Sequence, residues 1–317
     1  MNQPLITIGL TSYNSEISVL KAIESAIHQS WTNKEIIIVD DCSNDNSPKI
    51  IKSINFQGVS HKIFFQKKNK GLPTSLNKII KEAKGSYICF FDDDDISKPE
   101  RLYKQYTKLI EYKNKNNIEK IACFASTIRD YQNGYKKLNK AIGSENNVPI
   151  GKDIINFHFS KRLKKGIFYG SGTPTCSLFI KKNTFDYIGF YDENLTRSED
   201  CDLAIRLGEY DFHFIGCEEP LIKQFIYKAE YKNGYANYKS EIKLFKKYPN
   251  YIDYKYLKYL KLWHLTKANY FSSKYLKFFF NILNLLLIYP SRSLNRIILR
   301  GIPRLIHDLR INIKFTF

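Results

Sequence analysis

A chain of 317 residues with 43% hydrophobic content can bury a substantial core, which excludes a disordered or fibrous protein. Its 50 Lys+Arg against 31 Asp+Glu give a formal charge of +19, and residues 221–317 hold most of the excess, with 19 basic and 4 acidic side chains. That basic third favours an anionic partner, whether nucleic acid, anionic lipid or a phosphorylated ligand, and charge does not choose among them.

In chain order, residues 1–8 lack a basic leader and a long apolar run, so no signal peptide is read there. Short apolar runs then alternate with segments of helical period: 5–10 with 19–27, 35–39 with 48–54, 62–65 with 74–83, and 87–91 with 99–112. Strand followed by helix, four times over, predicts an α/β fold: a Rossmann-type, mostly parallel sheet flanked by helices on both faces. Gly85 reads as a helix C′ residue at positive φ. Sheets of this kind bind ligands at the carboxyl ends of their strands. Three polar clusters fall there: Thr11-Ser12-Tyr13-Asn14, Asp40-Asp41-Cys42-Ser43, and the run Asp92-Asp93-Asp94-Asp95.

After a strand at 118–127 the pattern loosens, and the polar stretch 133–147 reads as a loop or flap. Regularity returns with a strand at 176–180, a turn-like stretch at 186–194, a helix near 200–209, and strands near 213–217 and 221–227. From about Lys228 the chain is mainly helical. The six cysteines form no C-x-x-C pair and sit mostly in apolar runs, which fits a reduced, cytoplasmic setting. The six histidines lack metal-site spacing, so no zinc site is expected.

The four aspartates carry the most information. Adjacent carboxylates repel one another unless a cation or hydrogen-bond donors compensate. Hard oxygen ligands of this kind suit Mn²⁺ or Mg²⁺, completed by substrate phosphates. The competing reading is a solvated acidic turn.

The chain resembles the family 2 inverting glycosyltransferases of the GT-A fold, of bacterial surface-glycan type. The motifs are Thr11-Ser12-Tyr13-Asn14, Ile38-Val39-Asp40-Asp41-Cys42-Ser43-Asn44-Asp45, Asn69-Lys70-Gly71, Gly85-Ser86-Tyr87-Ile88 leading into the aspartates, and Ser198-Glu199-Asp200-Cys201-Asp202. The resemblance covers residues 4 to about 227. It implies a catalytic domain at 1–227, with 1–127 taking the nucleotide sugar and 128–227 the acceptor, followed by a helical basic region at 228–317.

By the same resemblance, Thr11 and Tyr13 cradle base and ribose, and Asp41 accepts from the uracil imide. Asp93 contacts the donor ribose or sugar, and Asp92 and Asp94 hold the metal, although a run of four blurs the register by one residue. Asp95 is expected to be structural. Asp200 is the implied base that deprotonates an acceptor hydroxyl. The donor would be a UDP-sugar and the acceptor a hydroxyl of a lipid-linked glycan, in bacterial surface polysaccharide or lipopolysaccharide synthesis.

Each residue also has a plainer reading. The Thr11–Tyr13 loop and the Asp40–Asp41 pair could cap helices, and Glu199, Asp200 and Asp202 could occupy a helix's first turn. Asp202 and Arg206, at i and i+4, would make a surface pair. Gly170-Ser171-Gly172-Thr173-Pro174-Thr175 lines the acceptor side or is only a turn. After Tyr227, Lys228-Ala229-Glu230-Tyr231 stands where many relatives have a histidine-containing segment.

The apolar run 278–288 is too short to span a bilayer of about 30 Å. Lys274 and Lys277 precede it, and Arg292, Arg296 and Arg300 follow at four-residue spacing, on one helical face. Together they suggest an interfacial helix on an anionic membrane surface, hence a cytoplasmic protein peripheral to the inner face of the membrane. A helical pair packed on the catalytic domain or on a second subunit is the other outcome. Two further functions stay open: an aspartate-based phosphotransferase or phosphohydrolase, and nucleic-acid binding by the Lys- and Tyr-rich tail. No helix-turn-helix, RNP or zinc-finger pattern supports the last, so nucleic acid is not the expected partner.

Overall fold

The computed structural model describes residues 3–145, 147–159, 163–226 and 234–312. It divides into two compact units, one made of residues up to Arg129 together with 137–225, the other of 130–136 and residues from Ile226 onward.

In the first unit the four repeats are β1 (Ile6–Ser12), α1 (Val19–Ile27), β2 (Lys34–Asp40), α2 (Ser47–Ser53), β3 (Ser60–Phe65), α3 (Leu72–Glu82), β4 (Tyr87–Asp92) and, after a short β5 (Asp95–Ser97), α4 (Arg101–Asn116). They are followed by β6 (Ile121–Tyr131), β7 (Lys136–Asn139), α5 (Lys152–His158), β8 (Leu178–Lys181), α6 (Thr184–Ile188), α7 (Glu199–Glu209) and β9 (His213–Ile226).

Strand side chains alternate between two faces. Ile36, Ile38, Cys89 and Phe91 enter one core with Val19 and Ile23 of α1, while Ile37, Val39, Ile88 and Phe90 enter the other with Ile79 of α3 and Leu203 of α7. Both faces being covered, the strands read as continuous apolar runs rather than as alternating ones.

The sheet order is β3-β2-β1-β4-β8-β6-β9-β5, with β7 on β6. Neighbouring strands among β3, β2, β1 and β4 are parallel, whereas β8 runs antiparallel to both β4 and β6, and β5 antiparallel to β9. The sheet is therefore mixed, with its parallel character concentrated in the first four repeats. A late strand inserted between two earlier ones leaves no mark on hydrophobic periodicity.

Three local expectations change. Part of 133–147 is strand, because β7 folds back on β6. Two strands expected after Asp211 are one continuous β9, and α6 covers the start of the stretch read as a turn. Gly85 does not have positive φ. It is small for another reason: a Cβ there would lie 2.5 Å from the Thr7 backbone nitrogen, so a side chain would push α3's exit off β1.

The second unit contains α8 (Gly234–Lys247), α9 (Tyr254–Phe271), α10 (Tyr275–Ile288), α11 (Pro290–Arg296) and α12 (Ile302–Asn312), with a π-helical turn joining the last two. Asp253 caps α9 by accepting from the Tyr256 amide at 2.7 Å. Among the described residues no helix is long and apolar enough to cross a membrane. The arginine stripe is only partly open: Arg300 is exposed, Arg292 is exposed while lying over Tyr256, and Arg296, which is buried, lies over both Tyr259 and Trp263 of α9. Of the three arginines expected on one open face, Arg296 packs inward against α9.

Candidate active site

The ends of β1, β2 and β4 meet because these strands are direct neighbours, and Thr11 stands in register with Asp92. Thr11 is buried, whereas Tyr13, two residues later, is 49% exposed. The loops after β1 and β2 are stitched together. The Asn14 amide donates to Ser43 Oγ at 2.9 Å, and the Asn14 side-chain oxygen accepts from the Asn44 amide at 2.9 Å.

Asp40 and Asp41 divide their labour. Asp40 is buried and accepts from the Ser43 amide at 3.0 Å and from its hydroxyl, so it shapes its own turn. Asp41 Oδ1 accepts from the Lys70 amide and from Gln66 Nε2, each at 2.8 Å, and Oδ2 accepts from the Gly71 amide at 2.7 Å. Asp41 thus holds the Asn69-Lys70-Gly71 loop at the start of α3. A carboxylate has about four acceptor positions, so Oδ2 retains one for a ligand N–H.

Asp93 Oδ2 accepts from the Tyr13 amide at 2.8 Å, and the Ser12 and Ser15 hydroxyls also bond this carboxylate. Burial pushes its pKa up to about 6 against those stabilising bonds. Asp92 is half-buried and lies next to Asp95 and Cys176: one ligand atom from each of the three falls within 4.8 Å of the others. Burial, then the charges of Asp95, Asp94 and Asp93, raise the Asp92 pKa, and burial with the charge of Asp94 brings Asp95 to about 7.

Carboxylates crowded in this way fit a hard dication, which would relieve both the repulsion and the desolvation. Asp94 sits exposed at the turn, close enough for its charge to act on its neighbours. Asp95 is buried and accepts from Gln224 Nε2 at 3.0 Å, an anchoring contact across the β5–β9 pair.

Asp200 lies in the first turn of α7, half-buried, with Oδ1 accepting from the Cys201 amide at 2.7 Å. Glu199 beside it is buried, and desolvation together with the charge of Asp200 lifts its pKa to about 8. The raised pKa favours the protonated form of Glu199. A contact chain joins this turn to the acid run. Burial first, and then the charges of Glu199 and Asp200, raise the pKa of Tyr191, whose hydroxyl lies 3.2 Å from Thr175 Oγ1, and the thiol of the following Cys176 bonds Asp92.

Asp202 is not a surface residue. It is fully buried and pairs with Arg206, whose Nη1 also donates to the Ile188 carbonyl at 2.7 Å, so the pair fastens α7 to α6. In the glycine stretch, Gly170 and Gly172 have φ of 48° and 88°, and Thr175 and Cys176 bring its end to the site. The segment at 228–231 lies outside the described residues.

Sequence reasoning missed Arg101. Its side chain is 1% exposed, and Nη2 donates to the carbonyls of Phe90 at 2.9 Å and Cys176 at 2.7 Å, while Nη1 donates to Ser97 Oγ at 2.9 Å. It thereby ties residues on both sides of the aspartate run to the segment opposite. An arginine following Pro-Glu at a helix start reads as a surface residue. Only the fold reveals that it points inward.

The pattern of glycosyl transferase family 2 matches residues 7–184. An uncharacterized glycosyltransferase of Methanocaldococcus jannaschii, MJ1057, is 31% identical over 79% of this chain and 79% of its own length. Two other relatives, uncharacterized glycosyltransferases of Rickettsia felis and Rickettsia bellii, are longer, and the chain spans 37% and 27% of their lengths. Among solved structures, TarS of S. aureus in complex with UDP-GlcNAc is 15% identical with a TM-score of 0.58, over 91% of this chain and 82% of that one. GalNAc-T7 with UDP, GalNAc and Mn²⁺ is also 15% identical with a TM-score of 0.58, over 84% of this chain and 51% of that one. At such identity the likeness concerns the fold, which is of the GT-A type.

Proposed function

This chain belongs to glycosyl transferase family 2 and is a glycosyltransferase, and we propose that it moves a sugar from a UDP-sugar to a hydroxyl of a glycan acceptor with inversion. The observation that carries this reading is the meeting of Tyr13, Asp41, Asp92 and Asp93 at the ends of three adjacent strands, joined by the Tyr13–Asp93 bond. UDP and UDP-sugar complexes of the structural neighbours support the choice of donor.

In this reading the exposed Tyr13 ring stacks on the base, Thr11 shapes the pocket floor, and Asp41 Oδ2 accepts from the uracil imide. Asp93 contacts the ribose or sugar. Asp92 and Asp94 would hold Mn²⁺ or Mg²⁺, which supplies charge compensation for the departing diphosphate. Asp200 takes the proton of the acceptor hydroxyl. That oxygen forms its bond to the anomeric carbon as the carbon–phosphate oxygen bond breaks, and the electron pair leaves with UDP.

The acceptor is lipid-linked in this reading, the pathway is surface polysaccharide or lipopolysaccharide synthesis, and the basic C-terminal unit works at an anionic membrane surface on the cytoplasmic side. A nucleotide panel tests the donor step: UDP-sugars with Mn²⁺ should raise the melting temperature, and UDP should be released only when a glycan acceptor is added. Phosphate release without sugar transfer would overturn it.

A further inference from the structure

We propose that the outward sides of α10 and of the helical run 290–312 form a lipid-contacting face that lies in the headgroup layer of an anionic membrane. The inference rests on the membrane reading above and centres the contact on exposed apolar residues, since Arg296 of the arginine stripe is buried.

The inward sides of these helices are settled by their contacts with α9. Tyr259 meets the Tyr289 ring edge-on at 5.2 Å, the Tyr270 hydroxyl donates to Asp308 Oδ2 at 2.8 Å, and Arg296 lies over Tyr259 and Trp263. What remains outside is apolar. On α10, Leu276, Phe280, Leu283 and Leu287 follow at steps of three or four residues, with Phe279 beside them, and each of the five is at least 56% exposed. On the following run, Leu294, Ile298, Ile302, Leu305 and Leu309 repeat the pattern, each at least 46% exposed. Scattered exposed apolar residues are ordinary, but two continuous helical stripes of leucine, isoleucine and phenylalanine mark an interaction surface.

Charge selects the partner. Residues 272–312 carry seven Lys or Arg and a single carboxylate, Asp308, which is already bonded by Arg304 and Tyr270. A two-fold dimer through this surface would set the same patch against itself, bringing like charges together without spare acids to answer them. An anionic bilayer supplies apolar depth for the stripes and negative headgroups for Lys274, Lys277 and Arg310, which are exposed.

The test is flotation of the full chain with vesicles of phosphatidylcholine, with and without phosphatidylglycerol, after nuclease treatment. Binding should be about tenfold stronger with phosphatidylglycerol, because each basic residue near the surface adds to the attraction. The double substitution Phe279→Asp with Leu283→Asp should lower partitioning at least about tenfold while leaving UDP-sugar binding in solution unchanged. Should that variant misfold, Lys277→Glu with Arg310→Glu carries the test and should remove the phosphatidylglycerol preference.

Absence of vesicle binding by the parent protein would overturn the inference. So would unaltered binding by both variants, or a solution dimer that the Phe279/Leu283 variant dissociates. Failure of UDP-sugar binding in solution would instead overturn the donor reading and leave the vesicle result standing on its own.

Discussion

The Tyr13 amide donates to Asp93 Oδ2 at 2.8 Å, a bond between residues 80 positions apart. It couples the loop after β1 to the acid run after β4, so the aromatic ring and the carboxylates are positioned as one piece. Replacing Asp93 with Ala removes the acceptor for this amide and for the Ser12 and Ser15 hydroxyls. UDP affinity should fall roughly tenfold, the equivalent of about one net hydrogen bond, as titration calorimetry would measure. Unchanged affinity would show that the loop holds its shape without Asp93.

Asp200→Asn keeps the size of the side chain and removes the proposed base. Turnover should drop roughly 10²–10⁴-fold while UDP binding stays level. Steady-state transfer combined with a UDP thermal-shift titration separates the two, and near-normal turnover would reduce Asp200 to a helix-terminus carboxylate.

Asp92→Asn removes one charge from the crowded group. The additional thermal stabilisation that Mn²⁺ brings to the UDP complex should vanish, while any stabilisation by UDP alone should persist. At ligand concentrations near one hundred times Kd that linkage is about 2.7 kcal/mol for the parent protein.

Asp202→Ala should destabilise the protein by about 3–5 kcal/mol, because it takes the carboxylate from Nε and Nη2 of Arg206, whose side chain is only 14% exposed. Urea unfolding reads this directly. The contrast with Asp200→Asn, two positions away, distinguishes a structural carboxylate from the proposed reactive one.

Glu199 makes stability depend on pH. Its pKa rises from the ordinary 4.5 to about 8 on folding, so between those values the folded protein keeps a proton that the unfolded chain has released. Its contribution is fully present below pH 4.5 and is lost as pH rises toward 8. Melting temperature measured across that window should fall more steeply for the parent protein than for Glu199→Gln, and parallel curves would contradict the assignment.

The strand–helix order of the first 116 residues was legible because each strand is apolar on both faces and each helix carries a 3.6-residue stripe. The polar clusters at strand ends were equally plain, since short motifs keep the chemistry of a loop within a few consecutive residues. Asp202 and Arg206 show the limit of such reading: their spacing predicted a pair, but nothing local told whether water or α6 would surround it.

The sequence by itself determined the alternating α/β layers, the acid run and the basic character of the C-terminal third, all of which follow from residue type and period. Tertiary structure alone decided that Asp95 joins Asp92 while Asp94 stays exposed, that Arg101 points inward to bond Phe90 and Cys176, and that Arg296 stacks on α9 instead of facing outward. Those outcomes depend on which distant segments come to rest against a side chain, and contacts of that range leave no periodic trace along the chain.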